Sequence, residues 1–282
     1  MFNKLKVQGL TQGFMILYLI FASNVKVALA ESQKIYTVGV VPQFEAHKLF
    51  SIWRPLLDDL EKHTKLKFQL VGSPNIEEFE EKLLNGQFDF AYIDPYQATM
   101  KTITYTPLLR DHNKKLQGIL VVRKDSPITD VKQLDGKNIA FPSPNSLGAS
   151  LLIRAELHNN YAIKINPRYV TTHDSVYLNV IYKNVQAGGG VQKTLKQQNS
   201  KISNQLRVLY RTQKVAPHAF AANRSVNKKI IEKVKQALLN MAKTKTGSAL
   251  LAKIPIAKMG TASTDDYLPL KKMKLDSFRV SH

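Results

Sequence analysis

KNIAFPSPNSLGASLLIRAE, residues 137–156, reads as strand, polar loop and helix start in one short stretch. Asn138 to Phe141 is a short apolar strand. Pro142 and Pro144 end it, Asn145 and Ser146 are residue types that cap helices, and Gly148 permits close approach of a backbone or ligand before the apolar run from Leu151. A helix that opens at the carboxyl end of a strand presents free N–H groups and the positive end of its dipole. The hydroxyls of Ser143, Ser146 and Ser150 stand beside that start. Such a place suits an oxyanion; the alternative is an ordinary capped connection, which this kind of fold also needs.

The same alternation extends both ways. Lys34 to Val41, Lys67 to Val71 and Phe88 to Ile93 read as strands. Between the first two, Leu49, Phe50, Ile52, Trp53, Leu56, Leu57 and Leu60 recur at helical spacing up to about His63, with Pro55 either kinking that helix or opening a new one. The next helix has Asn75 as its cap, Glu77 and Glu78 in its first turn and Gly86 as its terminator. Further strands are expected at Gly118 to Val122, Pro167 to Thr171, Asn184 to Ala187, Gln205 to Tyr210 and His218 to Ala222, and a helix at Val226 to Ala242. Gly188-Gly189-Gly190 reads as a flexible turn, and the polar stretch after Thr261 either lies against the body or frays. Strands alternating with amphipathic helices argue an α/β protein with mainly parallel sheets.

Lys4 and Lys6, an apolar run from Phe14 to Ala22 and the small residues of Val27-Ala28-Leu29-Ala30 make residues 1–30 a secretory signal peptide in expectation, cleaved after Ala30. A soluble, periplasmic chain follows from that. The chain has no cysteine, which excludes a lipoprotein anchor, a disulfide framework and a thiolate metal site. Loss of Lys4, Lys6 and Lys26 lowers the net charge from +20 to +17. That charge fits a small anion. It does not make a nucleic-acid footprint, because the basic residues are dispersed and their densest group, Lys271, Lys272 and Lys274, lies in the tail. The length accommodates one large domain or two lobes.

His47, His63, His112, His158 and His282 have no partners at metal-ligand spacing, so neither a metal nor another cofactor is expected. Val191-Gln192-Lys193-Thr194 after the glycines is superficially like a phosphate loop, but Gln192 stands where that loop needs glycine. His173, after Thr172, is a ligand contact or a helix-cap residue, and Tyr92 and Tyr96 are cleft walls or core. Ser143, Ser146 and His173 suggest a nucleophile with a base in principle. No Gly-x-Ser-x-Gly elbow accompanies them, and the chain is read as a binding protein and not an enzyme.

Val38-Gly39-Val40-Val41-Pro42, Trp53 to Leu57, Phe88 to Tyr96, the loop Ser143 to Gly148 and Thr172-His173-Asp174 together resemble the extracytoplasmic solute-binding proteins of phosphate, phosphite and phosphonate ABC transporters. The resemblance covers about residues 35–254. It implies a two-lobed type II periplasmic binding protein fold, with each lobe a mainly parallel sheet flanked by helices. Lobe one would be residues 31–117 with 222–282, lobe two residues 118–221, with the crossings near Gly118 to Val122 and His218 to Ala222. It implies a monomer that closes on a small oxyanion and is read by an ABC permease or, alternatively, by a membrane sensor kinase. Its ligand-binding residues would fall on Ser143, Asn145, Ser146, Ser150, His173 and His218, with Tyr92, Asp94 and Tyr96, and Gln43 and Phe44 as further candidates, from the first lobe. Where the family often carries Val-Asp-Ala-Gly, this chain has Val185-Gln186-Ala187-Gly188. With no carboxylate from Asn184 to Gln205 to pair an ammonium, a plain phosphate, phosphite or simple phosphonate is expected over an aminoalkylphosphonate.

Overall fold

The computed structural model describes residues 34–254 and 256–280. The expected signal peptide lies outside the described residues, as does His282. Strands β1 (Ile35–Val40), β2 (Lys67–Val71), β3 (Phe90–Ile93) and β4 (Tyr105–Asp111) precede β5 (Gly118–Arg123), β6 (Asn138–Phe141), β7 (Asn166–Tyr169), β8 (Ala187–Val191) and β9 (Leu206–Arg211), and β10 (Ala219–Asn223) and β11 (Met259–Thr261) close the series. They form two sheets, ordered β11-β4-β10-β3-β1-β2 and β7-β6-β8-β5-β9.

The sheets are mixed rather than mainly parallel. Within each, three strands joined by helical crossovers are parallel, β3-β1-β2 and β7-β6-β8. The remaining neighbours, including β10 on β3 and β4 and β5 on β8 and β9, are antiparallel. The cause is the pair of crossings between sheets, residues 112–117 and 212–218, which are short and contain no helix to return the chain in the parallel sense. These crossings lie just before the strands in which they were expected. They pair with each other through Leu116 and Val215, whose N–H groups each donate to the other's carbonyl at 3.0 and 2.9 Å.

The sequence reading had no strand at β4. Pro107 weakens its pattern, and the structure accommodates the proline at a bulge, where the register of β10 passes from Leu109 to Pro107. The three glycines are strand, not turn. A Cβ on Gly188 would come within 2.6 Å of Val176 Cγ1, one on Gly190 would strike the Tyr177 hydroxyl, and one on Gly189 would strike the Ala149 carbonyl and the Phe141 ring on the other face. Helices thus press on both faces of β8 more closely than any side chain permits.

Helix α1 (Ala46–Thr64) runs unbroken through Pro55 and buries Leu49, Trp53, Leu56, Leu57 and Leu60 on one stripe. In α2 (Ile76–Leu84) the Asn75 side chain accepts from Glu78 N–H at 2.8 Å, as the cap signal predicts. A π-helical turn, Leu147–Leu151, leads into α3 (Leu152–Tyr161), and α4 (His173–Ile181) follows. The short α5 (Gln192–Lys196) leaves the end of β8, and α6 is Ser200–Ser203. The two faces of β5 divide between α3 and α4: Leu120 and Val122 pack with Ile153 and Leu157, Ile119 and Val121 with Val176 and Val180. Helices α7 (Lys228–Met241) and α8 (Lys245–Lys253) complete the first sheet's cover. The tail docks by burying Tyr267, Leu270 and Leu275. No helix among the described residues is long and apolar enough to cross a membrane.

Candidate functional site

Lys193 is the centre of the site. It stands two residues past the carboxyl end of β8, the position from which open α/β sheets contact ligands. The residue is half-buried, and among the described residues its Nζ donates to two neutral acceptors, the Ile254 carbonyl at 3.1 Å and Gln43 Oε1 at 3.4 Å, with the Phe44 ring 5.7 Å away. Burial and the positive charge of Lys114 pull its pKa down to about 7.

Gln43 joins Lys193 to His218. Its amide N–H donates to His218 Nε2 at 3.0 Å, which leaves the imidazole proton on Nδ1. His218 stacks on Tyr92 with centroids 5.4 Å apart, and Trp53 covers Tyr92 at 5.1 Å. His173, buried at the start of α4, lies behind Lys193: its Nδ1 is 3.2 Å from the hydroxyl of Thr194, which Tyr177 OH also reaches at 2.7 Å. Burial, then the charge of Lys193, hold both histidines neutral, with pKa values lowered to about 3. Burial pushes the Tyr92 phenol up.

The helix start at Leu147 is already occupied from within. Asp94, after β3, places Oδ2 3.2 Å from Leu147 N–H, and Tyr96 N–H donates to Oδ1 at 2.9 Å. The same Oδ2 is 3.9 Å from His218 Nε2. Burial raises the Asp94 pKa to about 7 against the pull of those two N–H groups. A carboxylate therefore sits where the sequence suggested an external oxyanion.

The other residues singled out from the sequence are spread around this start. Ser143 Oγ is buried with no hydrogen-bond partner among the described residues. Ser146 holds the cap position without a side-chain cap bond. Ser150 Oγ accepts from Arg154 Nε at 3.1 Å. Asn145 donates to Glu80 Oε2 at 3.2 Å and to the Val280 carbonyl at 3.0 Å, and so ties the loop to α2 and the tail. Tyr96 points to the tail as well, with its hydroxyl on Asp276 and its ring under Arg279.

A cavity of about 470 Å³ opens beside Lys193. Of the residues singled out from the sequence, Tyr92 and His218 line it, together with Gln43; the rest of the wall includes Lys114, Lys115, Lys196 and Lys214. Sequence reasoning passed over these lysines. The signal for Lys193 was present, since it follows a strand end directly, but the glycines before it were read as a turn.

Two sheets joined by two short crossings, with a lysine-lined cavity at the strand ends, have the architecture of the type II periplasmic binding protein fold. A family model for the phosphonate periplasmic substrate-binding protein of ABC transporters matches residues 38–267, and the chain belongs to that family. It is 24% identical over 233 residues to the phosphate-import protein PhnD of Mycolicibacterium smegmatis, covering 74% of this chain and 73% of that one. The fold matches that of Prochlorococcus marinus PhnD1 in complex with methylphosphonate, with a TM-score of 0.78, 16% identity, and 88% and 100% of the two chains covered. A Xanthomonas citri protein bound to ATP matches with a TM-score of 0.70 and 15% identity, over 86% of this chain and 98% of that one.

Proposed function

We propose that this chain captures a phosphorus oxyanion in the cleft between its lobes, closes on it and delivers it to the permease of an ABC transporter. Lobe one carries β1–β4 with β10 and β11 and lobe two carries β5–β9, so the boundary expected at residue 222 moves to Ala219, where β10 begins; the protein acts as a periplasmic monomer, and it binds without catalysing. The observation that carries this reading is Lys193, a half-buried lysine at a strand end whose hydrogen-bond partners among the described residues are both neutral. An arriving anion supplies the counter-charge that the fold withholds. Tyr92, Gln43 and His218 complete the wall, and contacts from both lobes favour the closed state.

The names of relatives support the ligand class, since one imports phosphate and another holds methylphosphonate. A zwitterion is disfavoured because five lysines and a single carboxylate, Asp111, line the cavity, so its ammonium meets mostly like charge.

The test is thermal unfolding of purified protein, freed of carried-over ligand, against phosphate, phosphite, methylphosphonate, 2-aminoethylphosphonate and sulfate. A ligand at a hundred times its dissociation constant adds about 2.7 kcal/mol, a rise of several degrees. The expected result is a rise with a phosphorus anion that is lost in Lys193→Ala. No rise with any phosphorus compound would refute the reading.

A further inference from the structure

The cavity beside Lys193 is larger and more cationic than one phosphoryl group requires. Five lysines line it: Lys114 and Lys115 from the first crossing, Lys193 and Lys196 from α5, and Lys214 from the second crossing. Among the described residues none of them takes part in an ion pair. The one carboxylate in the wall, Asp111, accepts from the N–H groups of Asn113, Lys114 and Ala257, and so shapes the turn that presents Lys114 and Lys115.

Phosphate and methylphosphonate have five heavy atoms each, whereas a cavity of about 470 Å³ lies in the range that holds whole organic ligands, about 300–1,000 Å³. Its wall is not uniformly polar: Leu116, Val191, Pro217 and Ile254 form an apolar part beside the lysines. The compact seat for a lone oxyanion, the N–H of Leu147, is held by Asp94. The lysines that remain are distributed over both crossings and α5, so a single small anion reaches only some of them.

We propose that the cargo is an organic anion carrying two or more phosphate groups, its phosphates spanning Lys193 and the rim lysines and its carbon part lying on the apolar wall. This rests on the reading of the cleft as a phosphorus-anion site. A ligand long enough to touch both crossings engages both lobes at once, which is what differential affinity for the closed state demands. Exposed lysines alone are ordinary surface. Here they converge on one cavity whose wall also carries the neutral side chains of Gln43, Tyr92 and His218, and five lysines there face a single carboxylate, Asp111.

Calorimetric titration of the purified protein with matched pairs tests this: AMP against ADP, and fructose 6-phosphate against fructose 1,6-bisphosphate, with inorganic phosphate and methylphosphonate alongside. The expected result is at least tenfold tighter binding of the doubly phosphorylated member in at least one pair. The double variant Lys114→Ala, Lys115→Ala, altered on a surface turn, is expected to reduce that preference at least tenfold. The inference is overturned if neither pair shows the preference, if the double variant leaves it unchanged, or if methylphosphonate or phosphate binds more tightly than every doubly phosphorylated compound. Tight binding of single-phosphoryl compounds alone overturns this inference and leaves the carrier reading standing; no binding of any phosphorus compound by folded protein overturns both.

Discussion

Replacing Asp94 by Asn removes a buried carboxylate at the start of the π-helical turn while keeping an oxygen for the N–H groups of Leu147 and Tyr96. Burial is the main cause of the rise in its pKa from 3.8 to about 7; the charge of Glu80 adds to it and that of Arg279 opposes it. A raised carboxyl pKa contributes stability that is fully present below pH 3.8 and is lost as the pH climbs through about 7. At about 1.4 kcal/mol per pH unit, acidifying from pH 8 to pH 5 stabilises the wild type by about 2–3 kcal/mol through this group. The Asn variant has no proton to gain. Denaturant unfolding of both proteins at the two pH values is therefore expected to show the variant gaining on the wild type by about 2–3 kcal/mol between pH 5 and pH 8. A difference that does not change with pH would refute the assignment of Asp94 as a strained occupant of the helix start.

Three further outcomes are expected. The lowered pKa of His218, from 6.5 to about 3, contributes stability present above pH 6.5 and lost as the pH falls toward 3, so His218→Gln should lose about 2–3 kcal/mol less than wild type between pH 6.5 and pH 4 in denaturant titrations. Gly189→Ala drives a Cβ into the Ala149 carbonyl and the Phe141 ring, and should lower stability by about 3 kcal/mol, read as a drop in melting temperature. Arg279→Ala strips the cation from Glu80, whose side chain is 3% exposed and 2.6 Å from the guanidinium; a loss of about 2 kcal/mol and faster hydrogen exchange in the tail are expected, less than for a fully buried pair because Arg279 is 22% exposed.

What the sequence showed and what it hid divide along physical lines. The stripe of α1 and the Asn75 cap of α2 are local, since spacing alone fixes a face or a first turn; the cap appears as read, and the stripe does apart from Phe50, which is 53% exposed, and Ile52, which is half-buried. The strand at Asn138 to Phe141 and the helix after it are likewise local. The π-helical geometry at Leu147–Leu151 was not legible, nor was the carboxylate that occupies it, because Asp94 is 53 residues away in the chain. The glycines of β8 misled for the same reason, since what makes them strand is the pressure of α4 on one face and of Ala149 and Phe141 on the other. In the site, Tyr92 and His218 were legible as residues at strand ends. Lys193 was not, because Gly188-Gly189-Gly190 reads as a turn and hides the strand end before it, and its partners Gln43 and Ile254 lie 150 and 61 residues away in the chain.

The central claim is that an anion takes its place beside Lys193. The direct measurement is calorimetric titration with the phosphorus anion that raises the melting temperature, at pH 7.5 in two buffers of different ionisation enthalpy, for wild type and Lys193→Met. With its pKa lowered to about 7 by burial and by Lys114, part of the amine is neutral at pH 7.5 before binding, and the arriving anion favours its charged form. The account predicts heats that differ between the buffers, showing proton uptake on binding, and loss of both uptake and tight binding in the variant. Tight binding with no proton uptake, unchanged in Lys193→Met, would contradict it.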